Sequence, residues 1–157
     1  MNIEVVMRNF LVKTCSSVFW LGYIPVAPGT FGTLGAFILW LMFLRELNTS
    51  LYIGLVIIVI IFSCYIAELA GKIYRVKDSQ KIVIDELCGY FVTMTFAGKG
   101  LFIGLLGFAL FRLFDILKPW PIKKLEDLPG GVGVVMDDVM AGVYGALVLG
   151  MLSYFIG

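Results

Sequence analysis

The chain has 157 residues, 61% of them hydrophobic and 15% charged, with a mean hydropathy of +1.00 and a net charge of +1. Soluble domains are about half apolar and about a quarter charged, so this composition predicts a single integral-membrane unit over residues 1–157 and excludes an ordinary soluble domain. Basic tails and aromatic-basic interleaving are absent, which argues against a nucleic-acid partner. Histidine is also absent, and that removes His general bases and the Ser-His and Cys-His nucleophile pairs. Cys15, Cys64 and Cys88 are far apart and lack zinc spacing, so they read as small apolar packing residues. Carboxylate and metal chemistry remain.

In chain order, Met7–Tyr23 mixes Arg8 and Lys13 with Phe10, Leu11, Phe19 and Trp20 and reads as an amphipathic segment lying at the membrane interface. Pro25 to Thr33 holds two prolines and two glycines, so no regular helix is expected there. The run from Leu34 to Leu44 is short for a crossing, which needs about 20 residues; it spans if residues 32–35 are helical and is otherwise re-entrant. Leu51–Leu69 is the cleanest transmembrane helix. Residues 71–81 are basic. Ile82–Ala97, Leu101–Leu117 and Val132–Ile156 are further apolar runs interrupted by charge. The expected fold class is all-α, a small polytopic helix bundle with about four to five membrane helices and an N-terminal interfacial amphipathic segment.

Basic residues concentrate on the cytoplasmic side of membrane proteins. With five alternating runs, one side collects Arg8, Lys13, Lys72, Arg75, Lys77, Lys81, Lys118, Lys123 and Lys124, nine of the twelve Lys and Arg residues, while the other holds Arg45 and Lys99. The same arrangement brings the polar interruptions to the cytoplasmic side at similar depth: the Pro25–Thr33 loop, Asp85-Glu86, Arg112 with Asp115, and Asp137-Asp138. A charge in the middle of a lipid-exposed helix costs about 2.5–3.5 kcal/mol on insertion scales, so this convergence indicates an active site or ion site.

Asp137-Asp138, flanked by Val134, Val135 and Met136, is the strongest local signal; the bland alternative is a solvated helix start. Asp85-Glu86 has the same character. Together they make an all-oxygen set suited to Mg²⁺ or Mn²⁺ rather than zinc. Arg112, Asp115 and Lys118 recur every three residues, either as an intrahelical ion-pair ladder or as cations holding a phosphorylated substrate. The Pro28–Thr33 stretch precedes a helix, and its N–H groups and hydroxyls suit an anion.

These residues fall into four motifs: Pro25, Pro28-Gly29-Thr30 and Gly32-Thr33; Ile84-Asp85-Glu86 with Gly89; Phe111-Arg112, Asp115 and Lys118-Pro119-Trp120-Pro121; and Gly130-Gly131, Gly133 and Met136-Asp137-Asp138 with Ala141-Gly142. In this order they resemble the phosphatidylglycerophosphatase A family, small bacterial inner-membrane lipid phosphatases, from about Leu21 to Gly145. The resemblance implies a Mg²⁺-dependent enzyme of the cytoplasmic face that removes the terminal phosphate of phosphatidylglycerophosphate, a membrane phospholipid. It points to Asp85, Glu86, Asp115, Asp137 and Asp138 as the acidic centre. Glu86, Asp137 and Asp138 are then expected to ligate the metal, with Asp85 or Asp115 handling water. Thr30, Thr33, Arg112 and Lys118 are expected on the phosphate side. The alternatives are a phosphatase of another lipid phosphate, or a cation transporter, whose ion path would be blind because the outer side offers only Arg45, Glu46 and Lys99.

Overall fold

A computed structural model describes residues 3–156, with side chains through residue 152, so the two ends of the expected 1–157 unit lie outside the described residues. These residues form seven α-helices and no strand: α1 (Ile3–Ser16), α2 (Pro28–Leu39), α3 (Thr49–Tyr74), α4 (Ile84–Thr93), α5 (Leu101–Leu117), α6 (Ile122–Leu125) and α7 (Gly130–Ile156). A 3₁₀ turn, Leu21–Tyr23, precedes α2, and a π segment, Trp40–Leu44, extends it.

The short helix α4 is the axis of the bundle. Eight of its ten residues are buried, on every face, whereas a helix on the surface of a bundle buries one stripe. α7, α2 and α3 pack around it, and α5 packs across α7 and α4. Buried side chains donate to main-chain carbonyls of α4 and of its neighbour α7. The Tyr52 hydroxyl donates to the Phe91 carbonyl at 2.8 Å, and Thr93 Oγ1 donates to the carbonyls of Gly89 and Gly142.

The α4–α7 contact is a backbone-to-backbone approach. A Cβ on Gly142 would lie 2.3 Å from the Gly89 carbonyl oxygen. One on Gly89 would meet the Phe111 ring at 2.2 Å and the Asp138 carbonyl at 2.6 Å. Small residues permit such crossings between membrane helices. Phe111, fully buried, closes over the gap.

Three expectations change. The amphipathic segment expected over Met7–Tyr23 is α-helical only as far as Ser16, because Val18, Phe19 and Trp20 all adopt positive φ; the Ser17 hydroxyl holds the turn by accepting from the Trp20 N–H at 3.0 Å. Residues 28–33 are helical, because Pro28 takes the first helical position, where its missing N–H costs nothing. Among the described residues only two helices are long and apolar enough to cross a membrane, Thr49–Tyr74 and Gly130–Leu152. The run from Ile82 to Ala97 yields just the ten-residue α4. Ten residues rise about 15 Å, half of the roughly 30 Å hydrocarbon thickness, so α4 is a buried half-helix and the count of four to five full-length membrane helices is not met.

The two ends of the bundle are distinct. Lys99, before α5, pairs with Glu46, between α2 and α3, at 3.2 Å. The starts of α2, α4 and α7 and the end of α5 meet at the opposite end, where they line one cleft.

Gly142→Ala is expected to lower stability in detergent by about 1–3 kcal/mol through overpacking. Gly54→Ala, with nothing near its Cβ position, is expected to be neutral or to stabilise by up to about 1 kcal/mol. Denaturant unfolding of both variants followed by circular dichroism checks the pair.

Candidate active site

The glycine crossing determines where the acids fall. Asp85 sits one turn before Gly89, and Asp138 one turn before Gly142, so two parallel helices that touch at the glycines bring these carboxyls together. Oxygens of Asp85, Glu86 and Asp138 all lie within 4.8 Å of one another. Asp85 Oδ1 and Glu86 Oε2 are buried with no hydrogen-bond partner. Unpaired carboxylates out of water are costly, and a hard, oxygen-seeking divalent cation is the ligand that satisfies such a set. Asp85 and Glu86 also occupy the first turn of α4, where the helix dipole favours negative charge.

α5 runs antiparallel to α4 and α7 and delivers cations from its C-terminal end. Arg112 bonds Asp115 through Nη1, which also lies 4.0 Å from Glu86 Oε1. Arg112 Nε is buried and unpartnered, so one edge of the guanidinium still has a donor to offer. Lys118 ends the helix in a left-handed conformation, φ 42°. This turns its ammonium to within 2.8 Å of Asp137 Oδ2 and into a bond with Glu126. Burial pushes the Lys118 pKa down, but the hydrogen bonds its ammonium donates to Asp137 and Glu126 outweigh this and raise the pKa above the ordinary lysine range. Its ammonium is held in place between the two carboxylates.

α2 closes the cleft with backbone. Its N-cap, Ala27, is left-handed, and a Cβ on Gly29 would lie 2.2 Å from Glu86 Oε1 and 3.1 Å from Arg112 Nη1. A side chain here would push the Glu86 carboxyl and the Arg112 guanidinium from their places. The resulting cleft of about 250 Å³ is lined by Gly29, Asp78, Gln80, Arg112, Lys118 and all five predicted acids.

The five acids and both cations expected from the sequence therefore meet. Two details differ from expectation. The three-carboxylate group contains Asp85 in place of Asp137, which turns to Lys118 and keeps Oδ1 unpartnered. The threonines do not line the cleft: Thr33 is fully buried, its hydroxyl donating to the Gly29 carbonyl at 2.8 Å, and the α2 contribution comes from Ala27, Pro28 and Gly29. Asp78, Gln80 and Glu126 were missed. They sit in polar connections with no apolar flank, so nothing in their local sequence separates them from solvated loop residues. Asp78 stands where the cleft opens; loss of water there raises its pKa, and the Lys118 ammonium offsets only part of that rise.

Residues 14–153 match the family described as PgpA, phosphatidylglycerophosphatase A. A protein from Haemophilus influenzae called phosphatidylglycerophosphatase A is 34% identical over 87% of this chain and 85% of its own length. One of the same name from Escherichia coli is 36% identical over 88% and 79%. A Bacteroides thetaiotaomicron protein described as a putative phosphatidylinositol-3-phosphatase is 35% identical over 95% and 98%. No solved structure gives a significant match.

Removing Arg112 leaves Asp115 and Glu86 without their cation. Arg112→Met is expected to destabilise by about 3–5 kcal/mol, the range for breaking a buried ion pair, and Arg112→Lys by clearly less. Unfolding midpoints of the two variants in one detergent measure the difference.

Proposed function

This chain belongs to the phosphatidylglycerophosphatase A family, and from that premise we propose that it hydrolyses the terminal phosphomonoester of phosphatidylglycerophosphate, giving phosphatidylglycerol and inorganic phosphate, with Mg²⁺ as cofactor and Mn²⁺ as a substitute. One observation carries the reading: oxygens of Asp85, Glu86 and Asp138 lie within 4.8 Å of one another, Asp85 and Glu86 each keep a buried oxygen without a hydrogen-bond partner, and Arg112 stands beside them with an unpartnered buried donor. Anion-binding and cation-binding capacity side by side suit a phosphate that arrives with a metal.

Asp85, Glu86 and Asp138 would hold the cation. When bound, it neutralises phosphoryl oxygens and lowers the pKa of water, the chemistry that a chain without histidine otherwise lacks. Arg112 takes phosphoryl oxygens through its free edge, and Lys118 adds a fixed point charge. Asp115, oriented by Arg112, accepts a proton from the attacking water. The water oxygen bonds to phosphorus, the phosphorus–oxygen ester bond breaks, and the glycerol oxygen leaves with the proton returned by Asp115.

The proposed setting is the bacterial inner membrane, with the chain crossing it several times and the site at the cytoplasmic face. Basic residues support this orientation, since nine of the twelve Lys and Arg residues fall on the site side in the alternating arrangement read from the sequence. Two long apolar helices supply full-length spans. α2 with its π extension, and α5, at about 25 Å each, cross only where the bilayer thins or the loops sink. A site at the ends of these helices meets a lipid phosphate without drawing the acyl chains out of the leaflet.

Purified protein in detergent is expected to release phosphate from phosphatidylglycerophosphate with Mg²⁺ and to stop on chelation. Asp138→Asn and Glu86→Gln are each expected to reduce turnover at least about 100-fold while remaining folded. Chelator-resistant release, or near-normal turnover in either variant, overturns the assignment.

A further inference from the structure

Beside the catalytic cleft lies a second, larger cavity of about 410 Å³. The two share the walls formed by Pro28, Asp78 and Gln80, but Arg112, Lys118 and the acidic centre face only the first, while Tyr23, Ser79 and Lys81 face only the second. Lys81 is the cation of this outer chamber. Its ammonium is held over the rings of Tyr23 at 5.0 Å and Tyr74 at 5.6 Å, whose hydroxyls are linked to each other at 2.9 Å. Its backbone is pinned as well: a Cβ on Gly22 would come within 2.3 Å of the Lys81 carbonyl oxygen. A lysine tethered at both ends presents its charge at a fixed place, unlike a freely solvated one.

Across the two adjoining cavities the order is therefore cations with the acidic centre, then Asp78 and Gln80 in the shared wall, then Lys81. The head group of the proposed substrate has a matching order. A phosphomonoester and a phosphodiester sit at the two ends of one glycerol, with a hydroxyl on the carbon between them. We infer that the outer chamber is a specificity subsite, in which Lys81 binds the internal phosphodiester and Asp78 and Gln80 hydrogen-bond the glycerol hydroxyl while the phosphomonoester occupies the inner cleft. This rests on the phosphatase reading above. It predicts discrimination against lipid phosphates that lack a phosphodiester, because such a substrate leaves Lys81 without its anion.

The test compares kcat/KM for phosphatidylglycerophosphate with that for phosphatidate, a phosphomonoester lipid without the internal diester. Assays use non-ionic detergent micelles containing no other anionic lipid. Wild type is expected to favour phosphatidylglycerophosphate. Lys81→Met is expected to reduce that preference about tenfold, with the loss in KM rather than kcat, and Lys81→Arg to restore most of it. Lys72→Met, which removes an equal charge outside both chambers, is expected to keep the preference. An unchanged ratio in Lys81→Met, or an equal fall in Lys72→Met, overturns the subsite. No release from either lipid by folded wild type overturns the phosphatase reading, and the subsite with it.

Discussion

Where α4 crosses α7, backbone stands against backbone. The Gly89 carbonyl occupies the space that a side chain on residue 142 would need, and Phe111 fills the space beside Gly89. Both helices enter the crossing from the same end, so the residues one turn earlier, Asp85 and Asp138, face each other with Glu86 alongside. A wider crossing would separate these carboxyls by the thickness of a side chain and dissolve the three-oxygen set. The Thr93 hydroxyl reaches both glycine carbonyls and ties the contact across the two helices.

This geometry crowds negative charge, and the rest of the site is arranged around that fact. Asp85 and Asp138 are nearly inaccessible to water, and like charges at such spacing repel strongly where the dielectric is low. Three features of the chain offset the repulsion. The N-terminus of α4 carries the favourable end of a helix dipole, Arg112 joins Asp115 and approaches Glu86, and Lys118 is held between Asp137 and Glu126. The compensation is incomplete, since oxygens of Asp85, Glu86 and Asp137 remain unpaired. Incomplete compensation is what a site for a divalent cation and a phosphorylated ligand requires; full internal pairing would leave nothing to bind them.

The acids and cations were legible in the sequence because charge inside an apolar run stands out, and alternation of the runs brings them to one end. Gly89 and Gly142 could be seen as motif members, but their part in setting the crossing depends on which helices touch, and no local pattern encodes that. Asp78, Gln80 and Lys81 lie in a basic connection that looks like ordinary cytoplasmic loop. Their relation to the site emerges only when the loop folds back over Gly22 and Pro28. The threonines misled for a related reason: Pro28 starts a helix, and inside a helix Thr33 bonds back to Gly29. Apolar length is also not helix length: of the run from Ile82 to Ala97 only Ile84–Thr93 is helical, so the described residues bear out the all-α class without the full count of four to five membrane helices.

The central claim is that Asp85, Glu86 and Asp138 form a divalent-cation site built on the α4–α7 crossing. Calorimetric titration of Mn²⁺ into purified protein in detergent tests it without reference to turnover. The account predicts saturable binding by wild type, weakened at least about tenfold in Asp85→Asn and much less in Asp137→Asn, whose carboxylate faces Lys118. Equal affinity in wild type and Asp85→Asn, or a greater loss in Asp137→Asn, would contradict it.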